Sequence, residues 1–264
     1  MSGETIVVVP CYNEAARLDV AAYEGFVRSA DLVSLLFVDD GSTDDTPRVL
    51  EKLRQRFASR VSVLRVERNG GKAEAVRRGV LLAARQRPTF VGYWDADLAT
   101  PLEAVARFRA VLVARPELLL VMGSRVPLLG HAIRRRRSRQ WLGRAFATAA
   151  SLTLGLPVFD TQCGAKLFRA TPEVVALFQT PFRSRWIFDV EILARMQALR
   201  HAADAIYEYP LDRWQDVAGS RLRPRDFLVA ALDLAAIRWR YRGRRGNVMP
   251  TVPIDDQRER RQAA

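Results

Sequence analysis

Residues 33–47 read VSLLFVDDGSTDDTP. Val33, Leu35, Leu36, Phe37 and Val38 form an apolar run too short for a helix, and it reads as a strand buried on both faces. Asp39, Asp40 and Gly41 close it. Thr43 to Thr46 offer helix N-caps, and Pro47 falls where a first helical turn tolerates a missing N–H. Strand, acidic turn and helix therefore follow one another without a linker.

The same unit recurs on both sides. Residues 5–9 (TIVVV) read as a strand ended by Pro10, followed by a helix over 14–30. Residues 61–66 (VSVLRV) read as a strand, Asn69-Gly70-Gly71 as a turn and 72–86 as a helix. Residues 89–94 (TFVGYW) read as a strand ending at Asp95, and Pro101 starts a helix to about Ala114. Residues 118–122 read as a fifth strand. Such alternation predicts an α/β fold: a mostly parallel sheet with helices on both faces. Ligands of these sheets bind outside the carboxyl ends of the strands. The polar clusters 10–14, 39–44, 69–72 and 95–101 all sit at predicted strand ends, so they are expected to converge on one edge.

The second half is less regular. Residues 141–156 read as an Ala- and Leu-rich helix, 160–169 (DTQCGAKLFR) as a polar loop leading into a strand, 186–199 as a helix and 205–210 as a strand. Residues 226–241 read as an apolar helix carrying Asp226, Asp233 and Arg240 at heptad spacing. The helices 141–156 and 226–241 are amphipathic enough either to pack on the sheet or to lie in a membrane interface. One domain is expected over 1–243, and the charged tail 244–264 is expected to be disordered.

Of the 264 residues, 49% are hydrophobic and 27% charged, which excludes a disordered, collagen-like or coiled-coil chain. Two cysteines, Cys11 and Cys163, exclude a disulfide-stapled scaffold, and two histidines, His131 and His201, leave little for a zinc site. The start MSGETIVVV lacks the pattern of a signal peptide, and no apolar run is long enough for a transmembrane helix. A cytoplasmic location is the expectation. The net charge of +13, from 42 Lys+Arg against 29 Asp+Glu, points to a polyanionic partner. It concentrates at Arg134 to Arg137, Arg139 and Arg144, and again at Arg238, Arg240, Arg242, Arg244 and Arg245.

Three clusters carry chemistry. Asp95-Ala96-Asp97 follows a strand directly, and carboxylates at i and i+2 can share one hard divalent cation where the backbone turns. Asp39-Asp40-Gly-Ser-Thr-Asp offers an acceptor at a strand's end. Asn69-Gly70-Gly71-Lys72 opens a helix, whose N-terminus favours anions. Taken singly, each reads equally as a turn with solvated charges, and neither a Walker A spacing nor a GxGxxG is present.

In order, Pro10-Cys11-Tyr12-Asn13-Glu14, Asp39-Asp40-Gly41-Ser42, Gly71-Lys72 with Ala75-Val76-Arg77-Arg78-Gly79, and Asp95-Ala96-Asp97 resemble glycosyltransferase family 2. Gly123-Ser124-Arg125, the block Asp160 to Phe168 and Phe188-Asp189-Val190-Glu191 resemble its dolichyl/polyprenyl-phosphate β-glucosyltransferase branch, near the dolichyl-phosphate mannosyltransferases. The resemblance covers about residues 5–241. It implies the GT-A fold, a Rossmann-like nucleotide-sugar-binding half over 5–125 and an acceptor half over 126–243. Within it, Pro10, Tyr12 and Glu14 would flank base and ribose, and Asp40 would bond the base. Lys72, Ala96, Ser220 and Arg221 would join the donor contacts. Asp95 and Asp97 would hold Mg²⁺ or Mn²⁺ and, through it, the diphosphate. Arg125, Arg134, Arg135, Ser138 and Arg139 would meet the acceptor phosphate. Asp97, Asp189 and Glu191 would be the catalytic acids, with Asp189 the base for a hydroxyl acceptor and Glu191 its second. Ala73 and Leu98 stand where relatives often carry glycine.

The expected activity is a metal-dependent inverting hexosyl transfer, glucose and a UDP-sugar favoured, to a polyprenyl phosphate. The chain would lie peripherally on the inner face of an anionic membrane; a homo-oligomer fits, and a nucleic acid is not expected. The alternatives are transfer to a soluble hydroxyl acceptor and a non-catalytic basic module that binds membrane or nucleic acid.

Overall fold

The computed structural model describes residues 4–134, 137–199, 203–217 and 224–241. Its first half alternates β1 (Thr5–Cys11), α1 (Val20–Ser29), β2 (Val33–Asp40), α2 (Thr46–Arg56), β3 (Val61–Val66), α3 (Lys72–Ala84), β4 (Phe90–Trp94), α4 (Ala104–Ala114) and β5 (Leu120–Ser124). The second half adds β6 (Ala132–Arg134), α5 (Arg137–Leu154), β7 (Ala165–Arg169), α6 (Pro172–Ala176), α7 (Phe188–Met196), β8 (Ile206–Pro210), β9 (Arg213–Gln215) and α8 (Pro224–Tyr241). Seven strands form one sheet in the order β3-β2-β1-β4-β7-β5-β8, and β6 pairs with β9 apart from it. All neighbours in the main sheet are parallel except β7, which runs antiparallel between β4 and β5. The expectation of a mostly parallel α/β sheet is met.

Strand alternation divides the core into two layers. Val7, Val9, Leu35, Phe37, Trp94 and Leu167 face α1, α2 and α4. Val8, Val38, Tyr93, Met122 and Phe168 face α3, α5, α7 and α8. On the second face α3 lies nearly flush with β1 and β2, because a Cβ at Gly79 would overlap Val8 Cγ1 and crowd Val38 Cγ2. Gly79→Ala is therefore expected to lose about 1–3 kcal/mol of stability in urea unfolding. A neutral or stabilised variant would show that the helix can lift off without loss.

Two local readings are corrected. The helix expected over 14–30 begins only at Val20, capped by the Asp19 side chain on the Ala22 N–H. Residues before it are held as a turn, since Glu14 N and Ala15 N donate to Thr46 Oγ1 at 2.8 and 2.9 Å. Thr46 thereby ties the turn after β1 to the start of α2, whose N-cap, Asp45, falls within the expected 43–46. β6 and β9 went unread because strands of three residues carry no periodicity.

Candidate active site

Parallel strands bring their carboxyl ends to one edge, and an open cleft of about 910 Å³ lies there. Pro10, Tyr12, Glu14, Asp40, Lys72, Asp95, Ala96 and Asp97 all line it. Four clusters distant in sequence thus share one wall. The loops are tied to each other: Asn13 N donates to Ser42 Oγ at 3.0 Å, and Thr43 N to Asn13 Oδ1 at 2.9 Å.

Asp40 is buried and accepts the Gly70 and Gly71 amides at 2.9 and 2.7 Å. Burial raises its pKa against those two bonds. It fixes the turn that opens α3, so its carboxylate has a structural task besides any contact with a base. Lys72, the first residue of α3, sets its ammonium 2.5 Å from Asp95 Oδ1. Burial works against that charge, but Asp95, Asp189 and Asp97 outweigh it and raise the lysine's pKa. Asp97 accepts the Ala99 amide at 3.1 Å. Burial, then the neighbouring Asp95, lift its carboxyl above the ordinary aspartate value. Leu98 follows with φ +53°, a left-handed conformation costing a leucine roughly 1–2 kcal/mol.

The second half supplies more of the lining. Asp160, Thr161, Gln162 and Gly164 line the cleft. Thr161 is 1% exposed, yet its Oγ1 has no hydrogen-bond partner, and neither does buried Gln162 Nε2. Orphaned polar atoms in a cleft wall mark a surface built to meet a polar ligand. Arg125 lines the cleft as well, but its fork is held by Asp160 at 2.6 and 2.7 Å and lies over the Trp214 ring. It anchors the 160–164 loop while remaining in the cleft lining, where it was expected to meet the acceptor phosphate. Cys163 is buried, and burial followed by Asp160 lifts its thiol to about 11, which leaves no thiolate for catalysis.

Asp189 lines the cleft, whereas Glu191 does not. Glu191 is 1% exposed and bound by Arg195 NH2 at 2.8 Å, Tyr241 OH at 2.9 Å and Arg183 N at 2.8 Å. The catalytic role expected of Glu191 is corrected: it ties α7 to α8 and to the 180–187 loop. Arg134 is exposed on β6 and not part of the cleft wall. Arg135, Ser220, Arg221, His201 and the 244–264 tail lie outside the described residues, as do the side chains of Ser138 and Arg139. His131 is part-buried, its Nδ1 2.9 Å from Leu211 O. Arg17, Arg185 and Trp186 also line the cleft and were missed. Arg17 pairs with Glu14 at 2.5 Å, and Arg185 reaches Asn69 Oδ1 at 2.9 Å across the cleft's edge.

Asp95 and Asp97 fit a hard divalent cation. Both are oxygen donors lining one cleft, and the repulsion that Asp95 exerts on the Asp97 carboxylate is what a bound cation would relieve. Among the described residues no group of three or more His, Cys, Asp and Glu side chains could hold a metal alone. Two carboxylates leave the remaining positions to phosphate oxygens and water, the usual arrangement for Mg²⁺ in phosphate-handling sites.

Residues 6–173 match the sequence profile of Glycosyl transferase family 2. The chain belongs to glycosyltransferase family 2. Relatives of this glycosyltransferase include the dolichyl-phosphate beta-glucosyltransferase of Mus musculus, 34% identical over 251 residues that make up 89% of this chain and 75% of that protein. The Dictyostelium discoideum protein of that name is 32% identical over 250 residues, 89% of this chain and 74% of its own. Among solved structures, glucosyl-3-phosphoglycerate synthase of Mycobacterium tuberculosis superposes with a TM-score of 0.64 at 22% identity, covering 94% of this chain and 82% of that one. Its complex with Mn²⁺, UDP-glucose and glycerol 3-phosphate gives 0.63 at 23% identity, over the same shares of the two chains. These structures share the GT-A fold with this glycosyltransferase.

Proposed function

We propose that this glycosyltransferase moves glucose from UDP-glucose to a polyprenyl phosphate at a membrane surface, with inversion at the anomeric carbon. One observation carries the reading: a single cleft runs from Asp95, Asp97 and Lys72 to an apolar mouth of Leu142, Phe146, Trp186 and Val229. An acceptor with a charged head and a hydrocarbon body suits such a cleft. The helices that carry Leu142, Phe146 and Val229 expose further apolar side chains, Trp141 and Leu152 on α5 and Leu232 and Trp239 on α8. Arg238 and Arg240 fall in the last turn of α8. Apolar side chains beside arginines suit an anionic lipid interface, where each basic residue contributes about 1 kcal/mol. No helix among the described residues is long and apolar enough to cross a membrane.

In this reading Asp95 and Asp97 would hold Mg²⁺ or Mn²⁺, which would supply charge neutralisation at the leaving diphosphate. Lys72, paired with Asp95, and the α3 N-terminus would receive the diphosphate beside those carboxylates. Pro10, Tyr12 and Glu14 bound the base and ribose. An acceptor phosphate oxygen forms the new bond to C1 as the C1–O bond to the diphosphate breaks, and UDP leaves with the electron pair. That oxygen is already anionic, so no proton need be removed, and positioning supplies the rate. Asp189 is the carboxylate set beside the reacting sugar on the acceptor side.

A second reading, transfer to a soluble hydroxyl, is favoured by one feature: Asp189 in the wall could accept the hydroxyl's proton. Incubation with radiolabelled UDP-glucose, Mn²⁺ and polyprenyl phosphate in anionic vesicles separates the two. Label extracted into organic solvent is the expected result. Label that stays in water while a glycerol-type acceptor is consumed would replace the first reading by the second.

A further inference from the structure

Lys166 sits in β7, the antiparallel strand at the middle of the sheet, directly opposite Tyr93 of β4 and Met122 of β5. It is 0% exposed. An ammonium in a central strand is one of the costliest groups a sheet can bury, and it persists only with every donor satisfied. Here all three are. Lys166 Nζ donates to Thr161 O at 3.0 Å, to Cys163 O at 2.8 Å and to Asp189 Oδ1 at 2.5 Å. Tyr93 OH donates to the same Asp189 Oδ1, also at 2.5 Å.

Two consequences follow from which atoms are used. Both bonds to Asp189 fall on Oδ1, so the carboxylate of this cleft residue is gripped from the sheet side and keeps Oδ2 for a substrate. The two carbonyls belong to the turn that presents Thr161 and Gln162, whose buried polar atoms have no hydrogen-bond partner in the protein. One buried cation therefore joins the two parts of the acceptor-side wall. The donor side is held by other means: Asp40 on the Gly70 and Gly71 amides, and the Asp95 amide on Gly164 O.

We propose that Lys166 is a positioning residue for the transfer, acting through Asp189: it sets that carboxylate and the Thr161–Cys163 turn against the reacting sugar without touching substrate. The inference rests on the reading above only in placing Asp189 on the acceptor side. Tyr93 from β4, Lys166 from β7 and the more distant charge of Lys72 from α3 face Asp189. A purely structural lysine would support the fold and leave Asp189's contribution independent of it. A positioning lysine makes the two contributions one.

A double-mutant cycle reads that difference. Lys166→Met, Asp189→Asn and the pair are compared for kcat/KM in vesicle-borne polyprenyl phosphate, with UDP binding in Mn²⁺ by calorimetry as the check that the donor half is intact. Each single variant is expected to lose about 100-fold or more in kcat/KM, with the pair no more than about threefold below Asp189→Asn alone. UDP affinity is expected to stay within about threefold throughout. Should Lys166→Met fail to fold because it strands a buried carboxylate, Lys166→Gln supplies the second cycle, since it removes the charge but keeps an N–H donor in place of the ammonium. Non-additive losses in whichever cycle folds support the proposal. Additive losses, in which the pair falls by the product of the singles, overturn it while leaving Asp189's role standing. An Asp189→Asn variant with native turnover would instead remove the acceptor-side reading of Asp189, and Lys166 with it.

Discussion

Asp97→Ala is expected to lower kcat/KM by about 10³-fold or more, because a divalent cation with one of two protein ligands removed forfeits several kcal/mol of charge stabilisation on the leaving diphosphate. Mn²⁺-dependent UDP binding should weaken with it, while UDP binding without metal changes little. The residue's protonation gives a second handle. Burial and Asp95 together raise the Asp97 pKa. The ligand form is the ionised one, so protons compete with the cation and metal affinity should weaken as pH falls, the raised pKa of the metal-free carboxyl adding to that competition. Metal-free fold stability carries the opposite sign: the folded state holds this proton more tightly than the unfolded chain, so this group favours folding as pH falls. Calorimetric titration of Mn²⁺ across pH checks the first statement, and transfer unaffected in Asp97→Ala would remove Asp97 from the metal site.

The clusters at 10–14, 39–44, 69–72 and 95–101 could be brought to one edge from sequence because a parallel sheet leaves no freedom there: each strand must end on the same side. Less was legible in the second half. β7 was legible as a strand after a polar loop, but not its antiparallel course between β4 and β5, which no local pattern encodes. The motif block from Asp160 to Phe168 marked the region but gave no role to its lysine, since a role required knowing what lay across the sheet. Glu191 could have been excluded earlier. Residues two apart on a helix point to different sides, so Asp189 and Glu191 of α7 cannot both face one cleft. Arg17 and Arg185 carry no local signal, because an arginine beside a cleft and one in solvent read alike in sequence.

Gly164→Ala is expected to remove about 100-fold or more of the activity while leaving the fold close to intact, the reverse of Gly79→Ala. Gly164 ends the loop from Asp160 and adjoins β7, and its carbonyl accepts the Asp95 amide at 3.0 Å. A Cβ built there would overlap the Asp95 carboxylate, touching Oδ1, Oδ2 and Cγ at once. At Gly79 the added methyl meets aliphatic side chains inside the core, so the cost goes to stability. At Gly164 it meets a side chain that is 34% exposed and has somewhere to go: the carboxylate can swing out of the cleft wall. The sheet then keeps its packing and the metal site loses its geometry, along with the partner of Lys72. The pairing of a near-native melting temperature with weakened Mn²⁺-dependent UDP binding and low turnover is the expected signature. Turnover within about threefold of the parent would mean that Asp95 works from some position other than the one its contact with Gly164 now defines.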